Sequence, residues 1–468
     1  MLIRDAGIGG LRRDLRAHEG IITAIGEGLR RAPGEVEIDA RGGALVPGLH
    51  DHHIHLLALA ARLDSVSCGP PAVADRAEFA AALRRARPDR GWIRGTGYFE
   101  SVAGPLDRFA LDRIRADVPM RIQHRSGAMW FVNSRGAEGL GLDADDAPAG
   151  VERDTRGRAN GRILRGDDWL RERLPPTAPP DLARVGSMLA RCGVTRVTDA
   201  TPGNGPAELA LFDEARRKGA LPQRVRLMGD ARLARARATA RVEIGERKLI
   251  LDEHALPPLD RLSTWIREAH DDGRGVAIHT VTRTDLHFAL AALDSAGVRA
   301  GDRLEHASVA PPEAIERIRA LGLAIATQPH FVAERGDTYR VDVDPADRPH
   351  LYRVRSWLDR GVPLAAGTDA PFGDPDPWRA MRAAVVRETA SGIVLGADER
   401  VTPECAIALF GDGFVQTLPK AEHPPSPRLG DPADLCLLDA PWIEVRAALS
   451  RDHVAATLCA GEVVWSRS

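Results

Sequence analysis

Between residues 194 and 369 the chain alternates short apolar runs with longer amphipathic stretches. The runs 194–200, 224–228, 276–279, 303–307, 321–328 and 362–369 are rich in Val, Ile, Leu and Ala, as expected of strands buried on both faces. A further run, 247–252, is apolar except for Arg247, Lys248 and the closing Asp252. The segments 262–271, 284–295, 311–320 and 353–360 repeat their apolar residues at helical spacing. Strands and helices alternating at roughly 30-residue intervals form the βαβ pattern and predict a parallel sheet. Residues capable of chemistry stand at the carboxyl ends of successive strands, so the sheet is expected to close into a (β/α)8 TIM-like barrel with its site on that face.

The ends of the chain have a different rhythm. Residues 2–46 hold short strand patterns interrupted by Gly9-Gly10, Gly20 and Gly26, and the tail adds 433–439, 454–459 and 462–465 after a linker marked by Pro424, Pro425 and Pro427. These segments predict a second domain built from 1–46 and 402–468, beside a barrel spanning 47–401. Between residues 55 and 248 the barrel needs two strands, but four candidates occur: 92–97, 120–124, 194–200 and 224–228. The latter two are assigned to the barrel. Residues of about 70–180 then form an insertion over the catalytic face, where specificity commonly resides.

Composition adds mainly exclusions. A length of 468 residues suits a barrel with an accessory module. The 64 Lys and Arg nearly balance 66 Asp and Glu for a formal net charge of -2, which leaves no nucleic-acid footprint. The arginines of 232–241 alternate with alanine and are expected on a solvated helix face. No apolar run reaches the roughly 18–20 residues of a membrane span. The opening Met1-Leu2-Ile3-Arg4-Asp5 lacks the basic-then-apolar pattern of a signal peptide. Five cysteines without paired spacing imply free thiols. The expectation is a cytoplasmic protein whose partner is a small-molecule substrate, neither nucleic acid nor membrane, with homo-oligomerisation left open.

The candidate chemistry begins at Pro47-Gly48-Leu49-His50-Asp51-His52-His53-Ile54-His55. Alternate residues of a strand project to one face, so His53 and His55 can reach a common point, with Asp51 on the same face. Imidazole is the commonest ligand for divalent transition metals. Other runs end in His279, His306 after Glu305, and Asp369, and one contains Lys248. Taken singly, His279 reads as a core histidine, His306 as a polar strand end, Asp369 as a turn or cap residue, and Lys248 as a solvated flank. Taken together, and in order at strand ends, they argue for one site.

As a set these residues resemble the metal-dependent amidohydrolase superfamily, and within it the branch of N-substituted formamide deformylases and N-acyl-D-amino-acid deacylases (amidohydrolase family 3-like). The resemblance runs from about residue 2 to the C-terminus. Besides Asp51-x-His53-x-His55 it rests on Leu45-Val46-Pro47-Gly48, Trp130-Phe131-Val132-Asn133-Ser134, Gly193-Val194-Thr195-Arg196-Val197-Thr198-Asp199-Ala200 and Gly367-Thr368-Asp369-Ala370-Pro371. It implies that the chain ends build a small β-sandwich. It also implies two zinc ions: His53 and His55 hold the first, with Asp369 completing that side, and His279 and His306 hold the second. Lys248, carboxylated by carbon dioxide, bridges them. Only the neutral amine can be carbamylated, and burial near cations favours that form.

The implied reaction is hydrolysis of a carbon–nitrogen bond in a small amide, formamide, cyclic amide or N-acyl amine. Metal-activated water attacks the carbonyl while Asp369 carries the proton to the leaving nitrogen. Tyr98, His124 and Trp130 of the insertion, and Arg353 or Arg355, are candidate substrate contacts, with His124 a candidate oxyanion donor. Ala128 stands where the formamide deformylases often carry a histidine after glycine, which separates this chain from that particular substrate. Rival readings on the same scaffold are a decarboxylase or a single-metal deaminase, in which His306 is an electrophile and Lys248 stays unmodified. A non-catalytic metal protein is disfavoured, because structural zinc sites close with Cys and His and leave no open position.

Overall fold

The computed structural model describes residues 1–70, 72–144, 146–175, 180–419 and 422–467. Of the insertion expected at about 70–180, Pro71, Asp145 and residues 176–179 lie outside the described residues. The chain forms two compact units, one of residues 1–56 with 182–468 and one of residues 57–181.

The larger unit contains the barrel. Its eight strands are Leu49–Ile54, Val194–Asp199, Arg224–Gly229, Val242–Ile250, Val276–Thr280, Arg303–His306, Ala324–Thr327 and Leu364–Ala366, numbered one to eight below. Each pairs in parallel with the next. The ends meet through Asp369 N–H to His53 O at 2.6 Å and His55 N–H to Ala370 O at 2.8 Å. A Cβ on Gly367 would lie 2.4 Å from the His53 nitrogen, so glycine is what lets the eighth strand approach the first. The helices Leu259–Asp271, Arg283–Ala296 and Pro312–Leu321 follow strands four to six and bury stripes such as Leu262, Ile266 and Ala269. Thr282 and Asp285 form a capping box at the second of these helices.

Three elements differ from expectation. The fourth strand starts at Val242 rather than 247, because the charge of Glu246 is buried against Arg226 at 2.9 Å and does not interrupt it. The helix expected at 353–360 is only Arg355–Asp359, since Glu399 takes up the Val354 and Ser356 amides. The arginine-rich segment 232–241 forms a single 3-10 turn, Ala231–Arg235, capped by Asp230. Its Arg/Ala alternation offers no apolar stripe to bury.

The chain ends form two four-stranded sheets. One has the order Ile21–Gly26, Leu11–His18, Leu2–Ile8, Glu37–Asp39, and the other Glu462–Ser466, Val454–Cys459, Leu435–Leu438, Leu45–Pro47. Ile3, Leu15 and Ile22 from one share a core with Leu45, Leu435 and Leu458 from the other, a β-sandwich built from both ends.

The smaller unit carries a mixed sheet in the order Val151–Arg153, Ala159–Leu164, Met129–Val132, Met120–His124, Ile93–Tyr98, Val66–Ser67. Its cores centre on Phe79, Tyr98 and Phe131 and on Trp130, Leu140 and Leu170. All five cysteines are free and buried. Among the described residues no helix is long and apolar enough to cross a membrane.

Candidate metal centre

Strand one delivers His53 and His55 to the carboxyl end of the barrel, where both meet Asp369. His55 Nε2 lies 3.1 Å and His53 Nε2 3.4 Å from Asp369 Oδ1. Ligand atoms of His53, His306 and Asp369 all lie within 4.8 Å of one another. The His306 ring sits 4.7 Å from that of His53 and 4.4 Å from that of His279. Lys248 is buried on strand four, two residues before Ile250, the cross-strand neighbour of His279.

Backbone geometry explains how the sixth strand contributes. Simple alternation would send Glu305 and His306 to opposite faces. His306 instead adopts a left-handed backbone with φ of 70°, followed by Ala307 at 45°, which breaks the pleat at the strand end. Asp369 is also left-handed, at 51°. Non-glycine residues held in this region cost of order 1–3 kcal/mol each and gather at functional sites. Asp369 does open a turn, accepting from Phe372 N–H at 2.8 Å, but its carboxylate faces the histidines.

The outward nitrogens of His53, His55 and His306 are engaged. His53 Nδ1 donates to Glu305, whose other oxygen takes Arg303 Nε at 2.6 Å. His55 Nδ1 meets Thr201 at 3.0 Å, and His306 Nδ1 meets Gln328 Oε1 at 2.6 Å. Because Glu305 is a carboxylate, His53 must carry its proton on Nδ1, which leaves Nε2 with a lone pair facing inward. Thr201 and Gln328 orient the other two rings similarly. Asp51 is not aimed at the cluster. It accepts from the Thr368 amide at 2.9 Å, the Thr368 hydroxyl at 2.5 Å and the His53 amide at 3.2 Å, bracing the turn that carries Asp369.

Protonation states suit a cation. Burial, reinforced by the charge of Lys248, pushes His53 down to about 3. Burial likewise lowers His279 and His306, so these imidazoles are neutral, as metal ligands must be. Burial works against ionisation of Asp369, but the His55 hydrogen bond and the surrounding imidazoles outweigh it and hold the carboxyl below the ordinary carboxylate range. Burial brings Lys248 down to about 8. Its Nζ has no hydrogen-bond partner, and a buried amine without a partner is costly. Lone pairs converging beside an unsatisfied buried amine fit a divalent metal centre.

The other expected site residues have partners of their own. Tyr98 is fully buried in the core of the smaller unit and donates its hydroxyl to Gly104 O at 2.5 Å. Trp130 is buried there too and donates to Asp167 at 3.0 Å. Both are occupied with packing. His124, in the same unit, is held by Glu100 at 3.1 Å and Ser126 at 2.7 Å. Arg355 is exposed and pairs with Asp359 at 3.4 Å, one helical turn away. Arg353 is taken by His350 at 2.7 Å and Glu399 at 3.5 Å. Sequence reasoning passed over Glu305, Thr201 and Gln328. The spacing of Arg303 and Glu305 placed both on one face and was the available signal for a buried pair.

Comparisons with known proteins bear on the family of the chain. The N-substituted formamide deformylase of Arthrobacter pascens is 26% identical over 87% of this chain and 85% of its own. A crystal structure of an uncharacterized metal-dependent hydrolase from Pyrococcus horikoshii OT3 superposes with a TM-score of 0.74 at 20% identity, covering 97% of this chain and 99% of that one. N-isopropylammelide isopropylaminohydrolase from Burkholderia multivorans shares the fold at a TM-score of 0.54 and 16% identity, covering 99% and 98%. A model of the amidohydrolase family matches residues 36–465. With that match spanning both the barrel and every residue of the centre, the chain belongs to the amidohydrolase family, metal-dependent enzymes that hydrolyse carbon–nitrogen bonds other than peptide bonds.

Proposed function

We infer that the protein hydrolyses a small amide, formamide, cyclic amide or N-acyl amine at a two-zinc centre bridged by carboxylated Lys248. The observation that carries this reading is the buried Lys248 Nζ, which has no partner and stands among neutral imidazoles. With a pKa of about 8, roughly one such amine in ten is neutral at pH 7. Its lone pair attacks carbon dioxide, an N–C bond forms and the proton leaves, giving an anionic carbamate. His53, His55 and Asp369 hold one ion, and His279 and His306 the other.

When bound, the ions supply the Lewis acidity that brings water toward a pKa of about 7 and polarises the amide carbonyl. The rest falls to the protein. Asp369, ionised and 3.1 Å from His55 Nε2, takes a proton from the attacking water and returns it to the leaving nitrogen. Glu305 holds the His53 tautomer. The similarity to a formamide deformylase supports an acyl–nitrogen substrate, and the balanced charge supports a small molecule over a nucleic acid in a cytoplasmic setting.

A second reading has one specific observation behind it. His53, His306 and Asp369 form a single tight cluster, which suits a deaminase with one metal and an unmodified Lys248. A panel of N-substituted formamides, N-acetylamines and cyclic amides, together with amino-substituted heterocycles that can lose ammonia, offered to zinc-loaded protein with and without bicarbonate, separates the two. Bicarbonate-dependent release of amine supports the two-metal hydrolase. Ammonia release indifferent to bicarbonate supports the deaminase, and no release from any member contradicts both.

A further inference from the structure

The loop that carries Asp369 is gripped from two sides. From strand one, Asp51 accepts the Thr368 amide and hydroxyl, and His53 O accepts the Asp369 amide at 2.6 Å. The other grip comes from the end of strand seven and the helix Phe331–Asp342 that follows it. Thr327 O accepts the Gly367 amide at 3.0 Å, and Arg335 donates to Phe372 O at 2.6 Å. Between these two contacts, His330 Nε2 donates to Thr368 O at 3.0 Å. The peptide unit joining Thr368 to Asp369 is therefore fixed at both ends, its N–H on His53 and its C=O on His330. That peptide plane, with the φ of 51° at Asp369, sets where the carboxylate points.

The surroundings of His330 are shaped for this contact. The ring is buried and lies 4.9 Å from that of Phe331. A Cβ on Gly373 would come within 2.3 Å of both His330 Nε2 and Thr368 O, so glycine there is what admits the pair. A carbonyl can only accept, so the His330 proton sits on Nε2 and Nδ1 is left as a bare acceptor. Among the described residues nothing donates to that buried Nδ1. A leucine would fill the same space without burying an unpaired acceptor, so packing does not explain the imidazole. A left-handed non-glycine residue such as Asp369 persists only where its surroundings over-determine it, and the His330 contact supplies part of that constraint.

Resting on the metal-hydrolase reading, we propose that His330 is a positioning residue for Asp369. By holding the Thr368 carbonyl it keeps the strained turn closed and the Asp369 carboxylate directed at the cluster of His53, His55 and His306. Asp51 and His330 then act as the two jaws of one clamp, the first on the Thr368 amide and the second on its carbonyl.

The test uses cobalt(II) in place of zinc, because its visible absorption reports the ligand set directly. Wild type, His330→Leu, His330→Gln and Gly373→Ala are titrated with cobalt against a chelator and assayed with formanilide. In His330→Leu the absorption bands should shift and the cobalt affinity should weaken about 10-fold. Its kcat should fall about 100-fold, with KM changed by no more than about threefold. The glutamine amide can donate to the same carbonyl, so His330→Gln should recover most of both losses. Gly373→Ala, which forces the pair apart and leaves the histidine in place, should reproduce them.

A wild-type cobalt spectrum and kcat in His330→Leu, whatever its melting temperature, overturn the clamp and leave His330 a packing residue. A glutamine variant no better than the leucine variant overturns it too. If His330→Leu does not fold, the spectrum and affinity of Gly373→Ala decide. If wild type leaves formanilide intact, the same two readouts decide without kcat. Their change in the variants then supports the clamp while the amide reading fails, and unchanged values, or no cobalt binding by wild type, overturn the clamp.

Discussion

Two sets of buried polar side chains, one in each compact unit, are treated in opposite ways, although the smaller unit also buries Trp169 Nε1 without a partner. In the unit of residues 57–181, Tyr98 and Trp130 each bury a donor and satisfy it internally, on Gly104 O and Asp167. Asn133 does the same with both ends of its amide, accepting from Met120 and Gly136 and donating to Val118 O. At the carboxyl end of the barrel, Lys248 Nζ and Gln328 Nε2 are buried with nothing to bond, and His306 and Asp369 hold left-handed backbones. The first pattern is architecture, where polar atoms fix a register. The second stores unsatisfied polarity and strain that only bound ions and substrate relieve.

The sharpest break in this contrast comes from Asp369→Asn. Losing the proton carrier should lower kcat by at least about 10³-fold, while circular dichroism and the melting temperature change little. Turnover within tenfold of wild type would remove Asp369 from proton transfer. Next is Glu305→Gln, which keeps the shape but not the charge that fixes the His53 tautomer. Metal affinity, measured by competition with a chelator, should weaken about 10–100-fold, whereas an unchanged affinity would make Glu305 a partner for Arg303 alone.

A smaller, graded effect is expected from pH. The folded pKa of Lys248 is depressed to about 8, so its neutral form gains as pH rises through 8 and is lost below it. Between pH 8.5 and 6.5 the neutral fraction falls about 25-fold. Bicarbonate-dependent zinc loading of metal-free protein should slow accordingly, and a pH-independent rate would argue against carboxylation. The smallest effect belongs to the other unit. Tyr98→Phe should cost about 0.5–1.5 kcal/mol of stability and leave kcat/KM within twofold; a large kinetic loss would return Tyr98 to the substrate.

The barrel was legible because its strands are buried on both faces and read as continuous apolar runs, and because His53, His279, His306 and Asp369 each sit where a run stops. Glu305 was harder to recognise. As the neighbour of His306 it should face away from it, and only the backbone turn at His306 brings both to the centre. Tyr98 and Trp130 were ambiguous for the converse reason: an aromatic with a polar tip looks the same in sequence whether that tip meets a ligand or a protein acceptor.

Elemental analysis of protein prepared with zinc and bicarbonate, and never exposed to chelators, bears most closely on the proposed centre. Five residues and a carboxylated lysine converging on one barrel end should hold about two zinc ions per chain. A single ion per chain, unaffected by bicarbonate, would contradict the bridged centre and leave Lys248 an unmodified amine.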